Sequence, residues 1–169
     1  SSSRITYGAY GTGDKPKIYG SEVITGWSQH SGNIYKASFK TDITQLFVNG
    51  VKMKLARTAN TGYNIINSVA SQTQFSCNTL NAGINYAGAT VLLKTENYFS
   101  IMRTVTSSSS KTLSINSVPV GTIKLNQGFV LMNKLEFLDS PGEWYYDSAT
   151  DMIYVWTPGG DSPANYEVR

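Results

Sequence analysis

Between Gly142 and Pro158 the chain alternates with a period of two, and no other feature constrains the fold as tightly. In GEWYYD, Trp144 and Tyr146 fall on one side of an extended chain, with Glu143, Tyr145 and Asp147 on the other. In DMIYVWTP, Met152, Tyr154 and Trp156 share one side and Ile153 and Val155 the opposite one. The intervening SATD is turn chemistry, because Asp147, Ser148 and Asp151 carry short polar side chains that bond nearby backbone amides. A helix would require a period of 3.6. The segment therefore predicts an antiparallel hairpin over residues 142 to 156, turning at Ser148 to Asp151, with Trp144 and Trp156 largely buried as core aromatics.

Strand signals recur along the chain. Asn49-Gly50 stands between the apolar runs of TQLFVNGVKMKL and suits the positive φ values of a tight type I′ turn. In FSIMRTVTSSSSKTLSINSV, Ile101, Arg103 and Val105 share a face, and Leu113 and Ile115 resume after a Ser-rich turn. Ile5, Tyr7 and Ala9 alternate with small or polar residues ahead of GTGDKP, whose glycines and proline are turn punctuation. Residues 62 to 88 are polar and without clear period, which leaves a short helix or a long loop there.

Charge and composition exclude several classes of function. At 169 residues the chain is long enough for one good core. Its net charge of +3, with only 15% charged residues, comes from scarce acids rather than clustered bases. The densest basic stretch, Lys52, Lys54 and Arg57, alternates with Val51, Met53 and Leu55 and reads as the wet face of a strand, so no nucleic-acid partner is expected. A single cysteine, Cys77, cannot form an internal disulfide, and a single histidine, His30, leaves little for a zinc site or a Ser-His-Asp triad. No metal site or cofactor is expected. In GAYGTGDK the lysine does not follow a glycine as a phosphate-binding loop requires. The apolar runs are only a few residues long, so no membrane partner is expected. The opening SSSRITYG, without an initiator Met, reads as part of a longer protein.

Four segments in order, ITYGAYGTGDKPKI, GW followed by GNIYKASF, QLFVNGVKMKLAR and LDSPGEWYYDSATDMIYVW, resemble a family of secreted bacterial right-handed parallel β-helix proteins, many of them polysaccharide-processing. The resemblance covers most of the chain, is carried by the two end motifs and is weak from about residue 62 to 88. It implies that the first motif is an early coil of a β-helix and that the Trp-rich hairpin closes an all-β domain inserted before the helix resumes. It also implies an extracellular location and a β-helix domain of the same parent chain as partner. The sequence shows no counterpart of the family's long later stack of coils, where a substrate groove would be expected.

The combined expectation is an all-β chain: a β-helix-like edge strand and loop over residues 1–20, then a β-sandwich or jelly-roll-like domain over 21–169. A truncated parallel β-helix is the alternative, but repeats of ~20–25 residues, which it would need, are not evident. For function, the expectation is a non-catalytic accessory domain that binds or positions polysaccharide. Tyr145, Trp27, Trp144 and Trp156 are the candidate rings for stacking on sugar faces, and Glu143 and Asp147 the candidate hydroxyl partners. Tyr145 leads, because it shares a face with both acids. The alternatives are a glycoside hydrolase or polysaccharide lyase fragment and a purely architectural or adhesive module. No catalytic residue is assigned. Hydrolysis uses carboxyls about 5–5.5 Å or about 6.5–9.5 Å apart, whereas Glu143 and Asp147, four residues apart on one strand, stand roughly 13 Å apart.

Overall fold

In the computed structural model, residues 4–6, 8, 10–14, 16–96, 99–117 and 122–169 are described. The strands in chain order are β1 (Ser28–Ser31), β2 (Ile34–Ser38), β3 (Phe47–Val48), β4 (Val51–Lys52), β5 (Lys54–Leu55), β6 (Arg57–Thr58), β7 (Asn64–Ile65) and β8 (Ser68–Ser71). There follow β9 (Gln74–Ser76), β10 (Thr90–Glu96), β11 (Phe99–Ser109), β12 (Thr112–Ile115), β13 (Gly128–Met132), β14 (Glu143–Asp147) and β15 (Met152–Trp156). Helix among the described residues is confined to two single 3-10 turns, Leu135–Phe137 and Pro163–Asn165. The fold is all-β and consistent with a β-sandwich, as the alternation implies.

A five-stranded sheet runs β1-β2-β15-β14-β5, and a larger sheet runs β6-β13-β10-β11-β12-β9-β8 with β7 also on β13. The hairpin at the C-terminal end has the expected register: Glu143 opposes Trp156, Tyr145 opposes Tyr154, and Asp147 opposes Met152 across the turn. One face of this sheet, carrying Trp144, Ile153, Val155 and Ala37, closes a core with Leu46, Val48, Met53, Ile24 and Val168. From the other face, Ile34, Tyr145, Tyr154 and Trp156 pack partly against a second core, filled by Phe75, Val91, Leu93, Leu113, Phe129 and Leu131 of the larger sheet. Within that core the Phe75 and Phe129 rings meet edge to face at 5.1 Å, the arrangement that the ring quadrupole favours.

Turn chemistry sets the local geometry. Asn49 (φ 50°) and Gly50 (φ 77°) both take the left-handed conformation, so the Asn-Gly pair closes β3 onto β4 as a type I′ turn requires. Ile101 and Val105 on β11, and Leu113 and Ile115 on β12, are buried on one side of their pair. The chain crosses between sheets at Ala56, which is fully buried and donates its amide to the Trp144 carbonyl at 2.7 Å.

One expectation needs correction. Residues 62 to 88 hold no helix; β7, β8 and β9 lie there, followed by turns. β7 pairs with β13 and β9 with β12, both distant in sequence, while β8 pairs with the adjacent β9; a buried Asn64 beside an exposed Ile65, and the outward Ser68 and Ser71, erase the hydrophobic period. In the stretch where the edge strand is expected, residues 1–20, the described Ile5, Tyr10 and Ile18 are exposed. Tyr7 and Ala9, on which part of that alternation rested, lie outside the described residues.

Candidate functional site

The hairpin gathers the candidate residues, and the pleat sorts them onto two faces. Trp144 is 3% exposed in the core of the five-stranded sheet, so it is a packing residue and offers no ring to solvent. Trp27 is half-buried against the same core, with its indole Nε1 donating to the Ile24 carbonyl at 3.0 Å. Asp147 is engaged by its own turn: it accepts from the Ala149 amide at 3.0 Å and from the Thr150 hydroxyl at 2.8 Å. That is the local backbone role that short acids play in turns.

The opposite face presents a row of rings. Tyr145 and Tyr154 are stacked at a centroid distance of 5.9 Å and an interplanar angle of 30°. His30, exposed at the irregular β1–β2 pairing, sets its ring edge-on to Tyr154 at 5.0 Å. Lys36 stands opposite Tyr154 in register, adding a cationic neighbour on the same face. Trp156 ends the row, half-buried, with its indole Nε1 buried and without a hydrogen-bond partner. Burial, and then the nearby Asp147 carboxylate, raise the Tyr145 phenol above its ordinary pKa. Tyr145 and Trp156 were candidate rings, but Trp156, expected to be largely buried like Trp144, is half-buried on the face opposite to it; Tyr154, His30 and Lys36 were not singled out. Their signal was present in the alternation for Tyr154, but His30 and Lys36 join only through the pairing of β1 and β2 with β15.

Glu143 begins the same face, between Trp156 and Lys54 in the sheet and beside Asp139. Only 1% of it is exposed, and neither carboxylate oxygen has a hydrogen-bond partner. Burial, reinforced by the neighbouring Asp139 carboxylate, pushes its pKa up to about 7. The backbone amides of Asp139 and Ser140 and the Lys54 ammonium oppose the rise, although neither amide completes a hydrogen bond. Asp139 is itself exposed and accepts from the Asn60 side-chain amide at 2.8 Å. Lys54 donates to the Asn60 carbonyl at 3.2 Å, so Asn60 holds both charged neighbours of Glu143 in place. The sequence placed Glu143 beside Tyr145 as a hydroxyl partner, whereas the structure seals it away from solvent.

Among the described residues no group of three or more His, Cys, Asp and Glu side chains is placed to hold a metal ion. Cys77 is buried and free, 3.0 Å from the Thr79 hydroxyl. No described helix is long and apolar enough to cross a membrane.

No family model matches the sequence, and no curated protein matches it significantly. A solved structure described as a glycoside hydrolase superposes with a TM-score of 0.70 at 23% sequence identity, over 87% of this chain and 30% of its own length. The chain thus spans less than a third of that protein, and the likeness is one of fold.

Proposed function

We propose that this chain is a non-catalytic accessory domain of a secreted carbohydrate-processing protein and that it binds or positions a polysaccharide through the ring row of the five-stranded sheet. One observation carries the reading: Tyr145, Tyr154 and His30 form a contiguous, partly exposed set of rings with Lys36 alongside. Planar rings stack on the apolar faces of sugars, and flanking polar groups bond their hydroxyls; modest affinity then needs no tuned acid or base. The fold likeness to part of a glycoside hydrolase supports the carbohydrate class. A β-helix partner domain in the same parent chain and an extracellular location belong to the proposal.

A catalytic reading draws on Glu143, because a carboxyl held near neutrality beside a second acid is the charge pattern of an acid and base pair. Burial weighs against it. A group 1% exposed meets a glycosidic oxygen only if the residues covering it move. Titrating the purified chain with oligosaccharides by calorimetry, alongside an assay for new reducing ends or unsaturated products, separates the readings. Binding without turnover is the expected result; turnover abolished by Glu143→Gln would replace the accessory reading with a catalytic one.

A further inference from the structure

Away from the hairpin, a cleft of about 410 Å³ opens where β7, β10 and β13 meet the turn that precedes β13. Its floor is Gly128. On β13, Gly128 pairs with Ile65 of β7, while the following Phe129 pairs with Leu93 of β10, which brings Lys94 alongside. A Cβ at position 128 would stand 3.0 Å from Cβ and Cγ of Tyr63, so the tyrosine lies directly on the glycine backbone. Any side chain at 128 would displace it. Tyr63 nonetheless keeps 51% of its surface exposed, and Ile65 beside it keeps 42%.

The walls are built and held. Gln127 uses both ends of its amide: Nε2 donates to the Thr95 carbonyl at 2.6 Å and Oε1 accepts from the Lys124 amide at 2.7 Å. The same turn is tied to β7 by the Asn126 amide on the Ile66 carbonyl at 2.9 Å and the Ile66 amide on the Gln127 carbonyl at 3.0 Å. Lys94, Lys124 and Asn126 complete the lining. Thr95, also in the lining, is fully buried, yet its hydroxyl has no hydrogen-bond partner. A buried hydroxyl left without a partner carries a desolvation cost that a ligand hydroxyl or carboxylate would offset.

We propose that this cleft binds one unit of an acidic saccharide, with the sugar ring against Tyr63 and its carboxylate facing Lys94. The inference rests on the glycan-binding reading above but adds a second site and a charge class. The Tyr63 ring, the unpartnered Thr95 hydroxyl and Lys94 line one cavity, and an ammonium prefers a carboxylate to a neutral hydroxyl. A uronic acid unit presents both a ring face and that carboxylate.

The test is calorimetric titration of the whole chain with a short oligouronate and with the matching neutral oligosaccharide, for wild type, Tyr63→Ala, Lys94→Met and Tyr154→Ala. Thermal melts confirm folding of each variant; because Tyr63 is mostly exposed, Tyr63→Ala is expected to melt as wild type does. The oligouronate should bind more tightly than its neutral counterpart and weaken with added salt. Tyr63→Ala and Lys94→Met should each lower its affinity roughly three- to tenfold. Equal affinity for the neutral sugar, or wild-type binding by both cleft variants, overturns the cleft proposal. If Tyr154→Ala alone abolishes binding, the hairpin reading stands and the cleft is excluded. Absence of binding to either sugar removes both.

Discussion

Tyr145 lies across the β14–β15 pair from Tyr154, and the two rings stack 5.9 Å apart at 30°. Each ring restrains the other, and His30 closes the row edge-on to Tyr154. A ligand that lands there meets side chains already held in one orientation, which lowers the entropy it must remove. Tyr154→Ala takes the middle out of the row. Its affinity for a bound oligosaccharide should fall about fivefold or more, with Tyr154→Phe retaining most of the binding. Calorimetry on the three proteins checks this, and an unchanged constant for the alanine variant would leave the row a packing feature alone.

Glu143 makes stability depend on pH. Its native pKa, near 7, lies above the ordinary value of 4.5, so the folded chain holds the proton more firmly than the unfolded one. The contribution is present in full below the unfolded value and is lost as pH rises through about 7, because ionisation then places an unpaired charge between the sheets. Urea melts should show a decline of about 2 kcal/mol between pH 5 and pH 8. Glu143→Gln should flatten that decline and exceed wild type in stability at pH 8. Equal slopes in both proteins would mean that Glu143 gains solvent or a partner in solution.

Trp144 is the large aromatic of the five-stranded sheet's core and touches no solvent of consequence. Truncation to alanine removes its burial and leaves a cavity, so Trp144→Ala should cost roughly 3–5 kcal/mol in denaturant melts. A smaller loss would show that the neighbouring strands collapse into the space.

At the β3–β4 turn, nothing lies within 4 Å of where a Cβ on Gly50 would sit, so space is no obstacle to a side chain. Its φ of 77° is. Gly50→Ala should cost about 1–2 kcal/mol from backbone conformation alone. Thermal melts of the variant check it, with a neutral result implying that the turn changes type.

What the sequence discloses depends on where each residue's partner lies. The 143–156 hairpin is readable because turn and register are local, and Trp144 was placed inward correctly; Trp156, expected to be buried with it, lies half-buried on the opposite face, because Trp144 opposes Val155 in the register. The strands between residues 64 and 76 are not readable, because Asn64 and Gln74 are ordered by partners far along the chain. Glu143 shows the same limit within a readable strand. Alternation puts it on the Tyr145 face, but Glu143 is buried while Tyr145 is partly open, and alternation alone cannot tell the two ends of the strand apart. The cleft at Gly128 is still less legible, since a lone glycine before an apolar strand gives no hint of Tyr63.

The parallel pairing of β5 with β14, through Glu143 with Lys54 and Trp144 with Leu55, encloses in sequence every strand of the larger sheet. On a ribosome, the β1–β2 hairpin and β5 emerge first and then wait for β14 and β15 while the intervening chain is made, roughly 5–20 seconds at ordinary elongation rates. Throughout that interval β2 presents to other chains the edge that β15 will later cover, an exposure of the kind that invites aggregation. Expression yield should therefore respond to how quickly residues 56 to 142 are translated, even where the folded protein is unaltered.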